Sequence, residues 1–339
     1  MTAKLKLLAP EIFEAIKKAN NILLHLHPNP DFDSMGGALG MYHTLKTMGK
    51  KAVVIKGDSP LPNFAKYFPG CESIVSKNFF ETDLSLFDLF IILDSPVRER
   101  ISEIGEVVFP KTLKTILIDH HVAGEAFANL SLADDYYPAT CQMAYELFAE
   151  WGIKITKEAA VCLFVGMYYD TGGFKYEKTN KDTFLAAANL AEIAPDFSKT
   201  IFQIENNRER EEIIFQGMAL NSIESFLNNT VGVSSVSARE MIKRGIKEEN
   251  IDSGSVANII KSATGWQIGV ALTEKNKGNV RISFRTRNSE KYDMSKIANL
   301  LGGGGHKAAA GAAIQAPLAE AQKMVIEAIA KTYPKLGAC

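Results

Sequence analysis

Short apolar runs alternate with helical spacing through the first half of the chain. Residues 21–27 (NILLHLH) read as a strand, 35–49 as a helix with a glycine stop, and 51–57 (KAVVIKG) as a second strand. Residues 89–94 (LFIILD) and 115–119 (TILID) add a third and a fourth strand. Buried runs rich in Ile, Leu and Val, separated by helical segments, predict an α/β fold: a mostly parallel sheet flanked by helices. Helical spacing then dominates over 140–151, 157–169 and 181–193.

The pattern changes near Pro195. A charged stretch over 205–212 is followed by renewed helical spacing, which predicts a connecting helix over 196–228. Beyond it, VGVSSVS, WQIGVALTE and NVRISFRTR alternate apolar and polar positions, as half-buried strands do. Helices are expected over 295–301 and 318–333, on either side of a run of four glycines. The expected organisation is a catalytic domain at 1–195, the linker helix at 196–228, and a smaller α/β domain at 229–339.

Composition narrows the function classes. A length of 339 residues with 46% hydrophobic positions supports two cores, so a disordered chain is excluded. A net charge of −1 argues against a broad basic surface for long duplex DNA, yet suits a short anionic ligand held locally. Cys71, Cys141, Cys162 and Cys339 are scattered, which fits reduced thiols better than zinc fingers. The first residues read as an amphipathic helix rather than a signal peptide, and nowhere do about 18 apolar residues run uninterrupted. No membrane span is expected, and the cytoplasm is the expected compartment.

The chemistry lies at the strand ends, where open parallel sheets bind ligands. The first strand leads into His27-Pro28-Asn29-Pro30-Asp31-Phe32-Asp33-Ser34, the third into Asp94, and the fourth into Asp119-His120-His121. A lone strand-end Asp is most often a turn former, and Asp33 or Ser34 could cap the helix starting near Met35. Acids and imidazoles at three strand ends together are another matter. In an extended turn Asp31 and Asp33 could both face the rim. So many carboxylates in one cleft would repel one another unless divalent cations compensated them. Mixed His and Asp ligands suit Mn²⁺, Co²⁺, Zn²⁺ or Fe²⁺ better than Ca²⁺. His25, further from the rim, and His43, without nearby acids, read as structural.

These blocks resemble the DHH phosphoesterases. The resemblance rests on HPNPDFDS (27–34), Asp94, the DHH triplet (119–121) and DTGGF (170–174). It continues through SFRTR (283–287) and GGGGHKAAAG (302–311), the mark of the DHH-associated carboxyl-terminal domain. It implies two cations, Mn²⁺ foremost. His27 and Asp31 would hold one, Asp33, His120 and Asp170 the other, and Asp94 would bridge them. His121 would lie near the reacting phosphate, with Asp119 orienting the neighbouring ring. Phe32 departs from the small residue common there, and could narrow the approach or offer a stacking face.

In the second domain, four consecutive glycines can aim N–H groups into one concavity, although such a run is more often a flexible loop. With Arg285 on a strand and His306 next in the chain, Gly302, Gly303, Gly304 and Gly305 are expected to clamp a phosphate or nucleotide end. Arg281, Arg287 and Lys307 read as solvated. The implied function is hydrolysis of very short single-stranded RNAs or dinucleotides, and of pAp, by hydroxide that two metals activate for attack on phosphorus. The alternatives are a cyclic di-nucleotide or pApA phosphodiesterase and, ranked low because every ligand is present, a non-catalytic nucleotide sensor. A homodimer is compatible with the sequence but not indicated by it.

Overall fold

A computed structural model describes residues 1–122, 124 and 126–337, so Cys339 lies outside the described residues. The chain divides into two units, Met1–Asn206 and Asn207–Cys339. The first is built from α1 (Ala3–Lys18), β1 (Asn21–His25), α2 (Phe32–Thr47), β2 (Lys51–Ile55), β3 (Ile74–Val75), β4 (Leu89–Leu93), β5 (Lys114–Asp119), β6 (Leu130–Ala133), α3 (Thr140–Glu150), α4 (Lys157–Asp170), α5 (Lys181–Ile193) and α6 (Phe197–Glu205).

Its six strands run in the order β3-β2-β1-β4-β5-β6, every neighbouring pair parallel. The strands read as continuous apolar runs because both faces are covered. Ile22 and Leu24 enter one core and Leu23 the other; Leu89, Ile91 and Leu93 part from Phe90 and Ile92 in the same way. That alternation is the period of two of an extended chain. Strand order reverses direction at β1, whose neighbours are β2 and β4, so a switch point opens between β1 and β4.

Helices α2 and α4 approach closely at glycines. A Cβ on Gly36 would lie 2.5 Å from the Cys162 carbonyl oxygen, and one on Gly166 would lie 2.9 Å from that of Phe32. Only hydrogen fits there. The close approach brings the start of α2 beside the last turn of α4, which carries Asp170.

The second unit comprises α7 (Arg210–Asn221), β7 (Glu224–Phe226), β8 (Val231–Val236), α8 (Ala238–Lys243), α9 (Ser253–Ser262), β9 (Ile268–Asn276), β10 (Asn279–Thr286), α10 (Met294–Leu300), β11 (Gly304–Gly305), β12 (Ala309–Gln315) and α11 (Leu318–Thr332). Its sheet order is β11-β12-β10-β9-β8-β7, with β8 and β9 parallel and the other pairs antiparallel.

Three expectations are corrected. The connecting helix of 196–228 is two helices, α6 and α7, interrupted at 206–209. Asn206 donates from its side chain to the Phe202 carbonyl at 3.0 Å, ending α6 by the local bonding that makes Asn a poor helix interior. Strand β1 stops at His25 rather than His27, and α2 begins at Phe32 rather than Met35. Asp31 is the reason: its Oδ1 accepts from the N–H groups of Asp33 (3.1 Å) and Ser34 (2.9 Å), capping the helix earlier than expected. Among the described residues no helix is long and apolar enough to cross a membrane.

Candidate metal centre and active site

The switch point collects the acids and imidazoles. His27 follows β1, Asp31 caps α2, and Asp33 lies in its first turn rather than in an extended segment. Asp94 follows β4, Asp119 and His120 stand at the end of β5, and Asp170 closes α4. His27, Asp33 and Asp94 are each 1% exposed. Asp94 takes a left-handed backbone conformation, φ 54°, which a short acid tolerates and which turns the chain sharply at the strand end.

Side-chain atoms converge without touching. His27 Nε2 lies 3.4 Å from both Asp31 Oδ2 and Asp94 Oδ2. His120 Nε2 lies 3.5 Å from Asp94 Oδ1, 3.4 Å from Asp170 Oδ2 and 3.9 Å from Asp33 Oδ2. Direct charge-assisted bonds would be about 2.7–2.9 Å. Three groups each have ligand atoms within 4.8 Å of one another: His27-Asp31-Asp94, Asp33-His120-Asp170 and Asp94-His120-His121. Asp94 belongs to the first and the third, and His120 to the second and the third.

Charge makes the same point. Burial, with Asp94 nearby, raises the Asp33 carboxyl to about 6. Burial, with Asp33 nearby, raises Asp170 to about 8. Burial also works against ionised Asp94, but the neighbouring His120 and His27 outweigh it and hold Asp94 below the usual carboxylate range. Burial opposes protonation of His27, yet Asp31 and Asp94 raise it to about 9. Clustered acids whose ionised forms oppose one another, set against imidazole nitrogens at non-contact distances, fit a divalent cation.

Two neighbours that sequence patterns do not announce complete the frame. The Thr140 N–H donates to Asp33 Oδ2 at 2.6 Å and the Cys141 N–H to Oδ1 at 2.9 Å, so Asp33 caps α3, which has no side-chain cap of its own. The positive end of α3 thereby faces the acids. Arg100 is the other: its Nη2 lies 3.0 Å from His27 Nε2.

Phe32 offers no free stacking face. Its ring is sandwiched between Phe64 (centroids 3.8 Å apart) and Tyr169 (3.7 Å). The sandwich fastens the Asp31-Phe32-Asp33 turn to the residue before Asp170. Phe32→Ala should destabilise the protein by roughly 2–4 kcal/mol, towards the lower part of the range for a deleted aromatic because Phe32 is only partly buried. It should also weaken cation affinity. Thermal unfolding and metal titration of the variant check both effects, and unchanged metal affinity would mean that the stack does not position the acids.

The triplet divides its work. Asp119 Oδ1 accepts from the His121 backbone N–H at 2.6 Å and faces His121 Nδ1 at 3.0 Å, so the ring that Asp119 orients is that of His121. An ionised Asp119 requires the proton on Nδ1, which leaves Nε2 of this 45%-exposed side chain for a ligand. Buried His25 packs edge-on against Phe90 (5.3 Å) and is held neutral, at about 3, chiefly by burial. His43 faces the Pro69 carbonyl at 2.9 Å.

In the second unit, Arg285 and Arg281 of β10 line a concavity of about 610 Å³, with Lys275, Ser283, Gly304 and Gly305, and Arg285 Nη1 donates to the Phe284 carbonyl at 2.9 Å. Small residues of β12 form its floor, because Ala313, Gly311 and Ala309 stand opposite Arg281, Ser283 and Arg285. Arg281 is exposed, as expected of a solvated residue, and lines the rim of this concavity. Gly302, Gly303 and His306 are not part of its lining. Gly302, φ 75°, ends α10 in a left-handed cap, and a Cβ on Gly303 would lie 2.1 Å from the Gly311 carbonyl oxygen. Much of the glycine run is therefore needed for packing an edge strand against β12. Arg287 donates to the Ala263 carbonyl at 2.9 Å, and exposed Lys307 lies 3.6 Å from Glu290.

Comparison with known proteins places both units. Residues 21–167 match the DHH family, N-terminal domain, and residues 228–332 match the DHHA1 domain. The chain is similar to the bifunctional oligoribonuclease and PAP phosphatase NrnA of Thermus thermophilus, 28% identical over 98% of this chain and 96% of that one. The protein of the same name from Bacillus subtilis is 23% identical over 90% and 92%. Among solved structures, an exopolyphosphatase-related protein from Bacteroides fragilis superposes with a TM-score of 0.88, at 25% identity and 97% coverage of both chains.

Proposed function

We propose, for a chain that belongs to the DHH family by both of its domains, the metal-dependent hydrolysis of very short oligoribonucleotides and of pAp. The observation that carries this reading is Asp94, buried and within 3.5 Å of both His27 and His120, where one carboxylate can serve two cation sites. His27, Asp31 and Asp94 would hold one cation, and Asp33, His120, Asp170 and Asp94 the other. Mn²⁺ suits these mixed nitrogen and oxygen donors. Bound there, two cations would supply an acidified water and neutralise charge on a phosphate.

The chain's own residues do the rest. Asp119 fixes the His121 ring so that Nε2 points away from its anchor, able to hold a proton against the departing ribose oxygen. The α3 amino end, through Thr140 and Cys141, keeps Asp33 in place without using a charged side chain. The Arg281–Arg285 concavity is large enough for a nucleotide, and its guanidinium groups suit a phosphate. The relatives named for oligoribonuclease and PAP phosphatase activity support the same substrate class.

Preference for short strands follows from charge. With a net charge of −1, the chain gains little affinity from each further phosphate of a long strand. Among pApA, a pentaribonucleotide, a longer RNA, pAp, cyclic di-AMP and pyrophosphate, kcat/KM should be highest for the shortest RNAs and fall for the longer one, with pAp also cleaved. Equal or faster degradation of long single strands would overturn the reading. Preference for cyclic di-AMP over pApA would shift it to a cyclic di-nucleotide phosphodiesterase.

A further inference from the structure

His27 has one ring nitrogen to give. Its Nδ1 lies 2.9 Å from the Pro28 carbonyl, a pure acceptor, so Nδ1 carries a proton, and Nε2 is the nitrogen for which the Arg100 donor, a proton drawn by the flanking acids, and a metal compete. Arg100 Nη2, a pure donor, sits 3.0 Å from that Nε2. Asp31 Oδ2 and Asp94 Oδ2 flank the same nitrogen at 3.4 Å. A cation ligated by His27 must use the lone pair that Arg100 uses now. Ring nitrogen, metal and guanidinium cannot all be satisfied at once.

We propose that Arg100 is the built-in counter-cation of the His27-Asp31-Asp94 group, displaced when metal binds and then available to grip the substrate phosphate. The proposal deepens the phosphoesterase reading and, in its second half, rests on it. The backbone around Arg100 is tied down, which leaves the side chain as the part that moves. Ser95 Oγ donates to the Arg100 carbonyl at 3.3 Å. Beyond it, Ser102 Oγ (2.9 Å) and the Glu103 N–H (2.7 Å) both donate to Asp58 Oδ2. Arg100 is partly exposed, so its head can turn towards solvent and ligand. A guanidinium released beside the cluster brings a planar fork of donors, the geometry that suits phosphate oxygens.

A residue that merely supports His27 and one that competes with metal for it predict opposite signs. Calorimetric titration of Mn²⁺ into the chelator-treated full chain distinguishes them without any turnover. Arg100→Gln should bind Mn²⁺ about tenfold more tightly than the parent, the change expected when one charge-assisted hydrogen bond no longer has to be broken. Unchanged or weaker Mn²⁺ affinity in a variant with an unaltered circular dichroism spectrum overturns the counter-cation role. Arg100→Met serves as the second variant if Arg100→Gln misfolds: it keeps the length of the side chain without charge or donor, so the same tightening is expected and the same null result overturns it.

The phosphate role is read separately, from the affinity of the Mn²⁺-loaded protein for AMP. It should weaken by about tenfold in either variant, and an unchanged value rejects that half. Because neither readout needs hydrolysis of RNA, a wrong substrate assignment would leave both answers intact.

Discussion

Asp94→Ala is expected to lower kcat on a diribonucleotide by about 10³- to 10⁴-fold, the loss of several kcal/mol of charge stabilisation, and to reduce the cation content of the protein. Among the described residues, no other acid lies beside both imidazoles: Asp94 Oδ2 faces His27 and Oδ1 faces His120 and, at 3.5 Å, His121 Nδ1. Asp31, by contrast, is 52% exposed and belongs to one group only. Its replacement by Ala should therefore cost less than that of Asp94. Asp94→Asn keeps the size and the tolerance for φ 54° while removing the charge, so it separates electrostatic from structural damage. Metal analysis of the desalted variants, beside kcat, makes the comparison. Full cation content and near-parent kcat in Asp94→Asn would show that no carboxylate is shared.

The core of this site was legible because its chemistry is placed by topology. An apolar run followed at once by Asp or His announces the carboxyl end of a buried strand, and three such ends next to one switch point meet in space. The helix cap was expected at Asp33 or Ser34 and is Asp31, whose two oxygens do two things. One caps α2 and the other faces His27, so a choice between cap and ligand was never required. The edge strands Ile74–Val75 and Leu130–Ala133 left no pattern long enough to read, since their pairing partners define them.

Arg100, Thr140 and Cys141 were hidden for a different reason. Their roles come from tertiary approach, 73 residues from His27 in one case and more than 100 from Asp33 in the others, and two of them act through backbone N–H groups that every residue carries. The Phe32 sandwich is the same kind of feature: Phe64 and Tyr169 are ordinary aromatic positions until the fold stacks them. In the second unit the glycine run was conspicuous in sequence, but contacts with β12 explain much of it, while the exposed Arg281 lines a concavity that its alternating, half-solvated strand did not announce.

Chelation is expected to abolish hydrolysis and, independently, to lower the unfolding temperature of Met1–Asn206, the unit that contains every proposed ligand. A ligand that binds only the folded state stabilises it by about 4 kcal/mol when present at about a thousand times its Kd. For a unit of this size that corresponds to a shift of roughly 10 °C, read by calorimetry with and without Mn²⁺. The shift should depend on pH in a definite direction. Asp33 and Asp170 have folded-state values raised to about 6 and about 8, above the 3.8 of a free Asp, by burial and then by a neighbouring carboxylate, Asp94 for Asp33 and Asp33 for Asp170. A raised carboxyl binds protons more tightly folded than unfolded, so the metal-free protein loses stability as pH rises from about 4 towards 8. Metal binding requires the ionised carboxylates, and protons compete with it over the same window. The stabilisation by Mn²⁺ should accordingly be small near pH 5 and grow steadily to pH 8. A pH-independent shift would mean that the cation does not contact Asp33 or Asp170. A shift that shrinks with rising pH would contradict the proposed ligand set altogether, because no carboxylate becomes a weaker ligand on losing its proton.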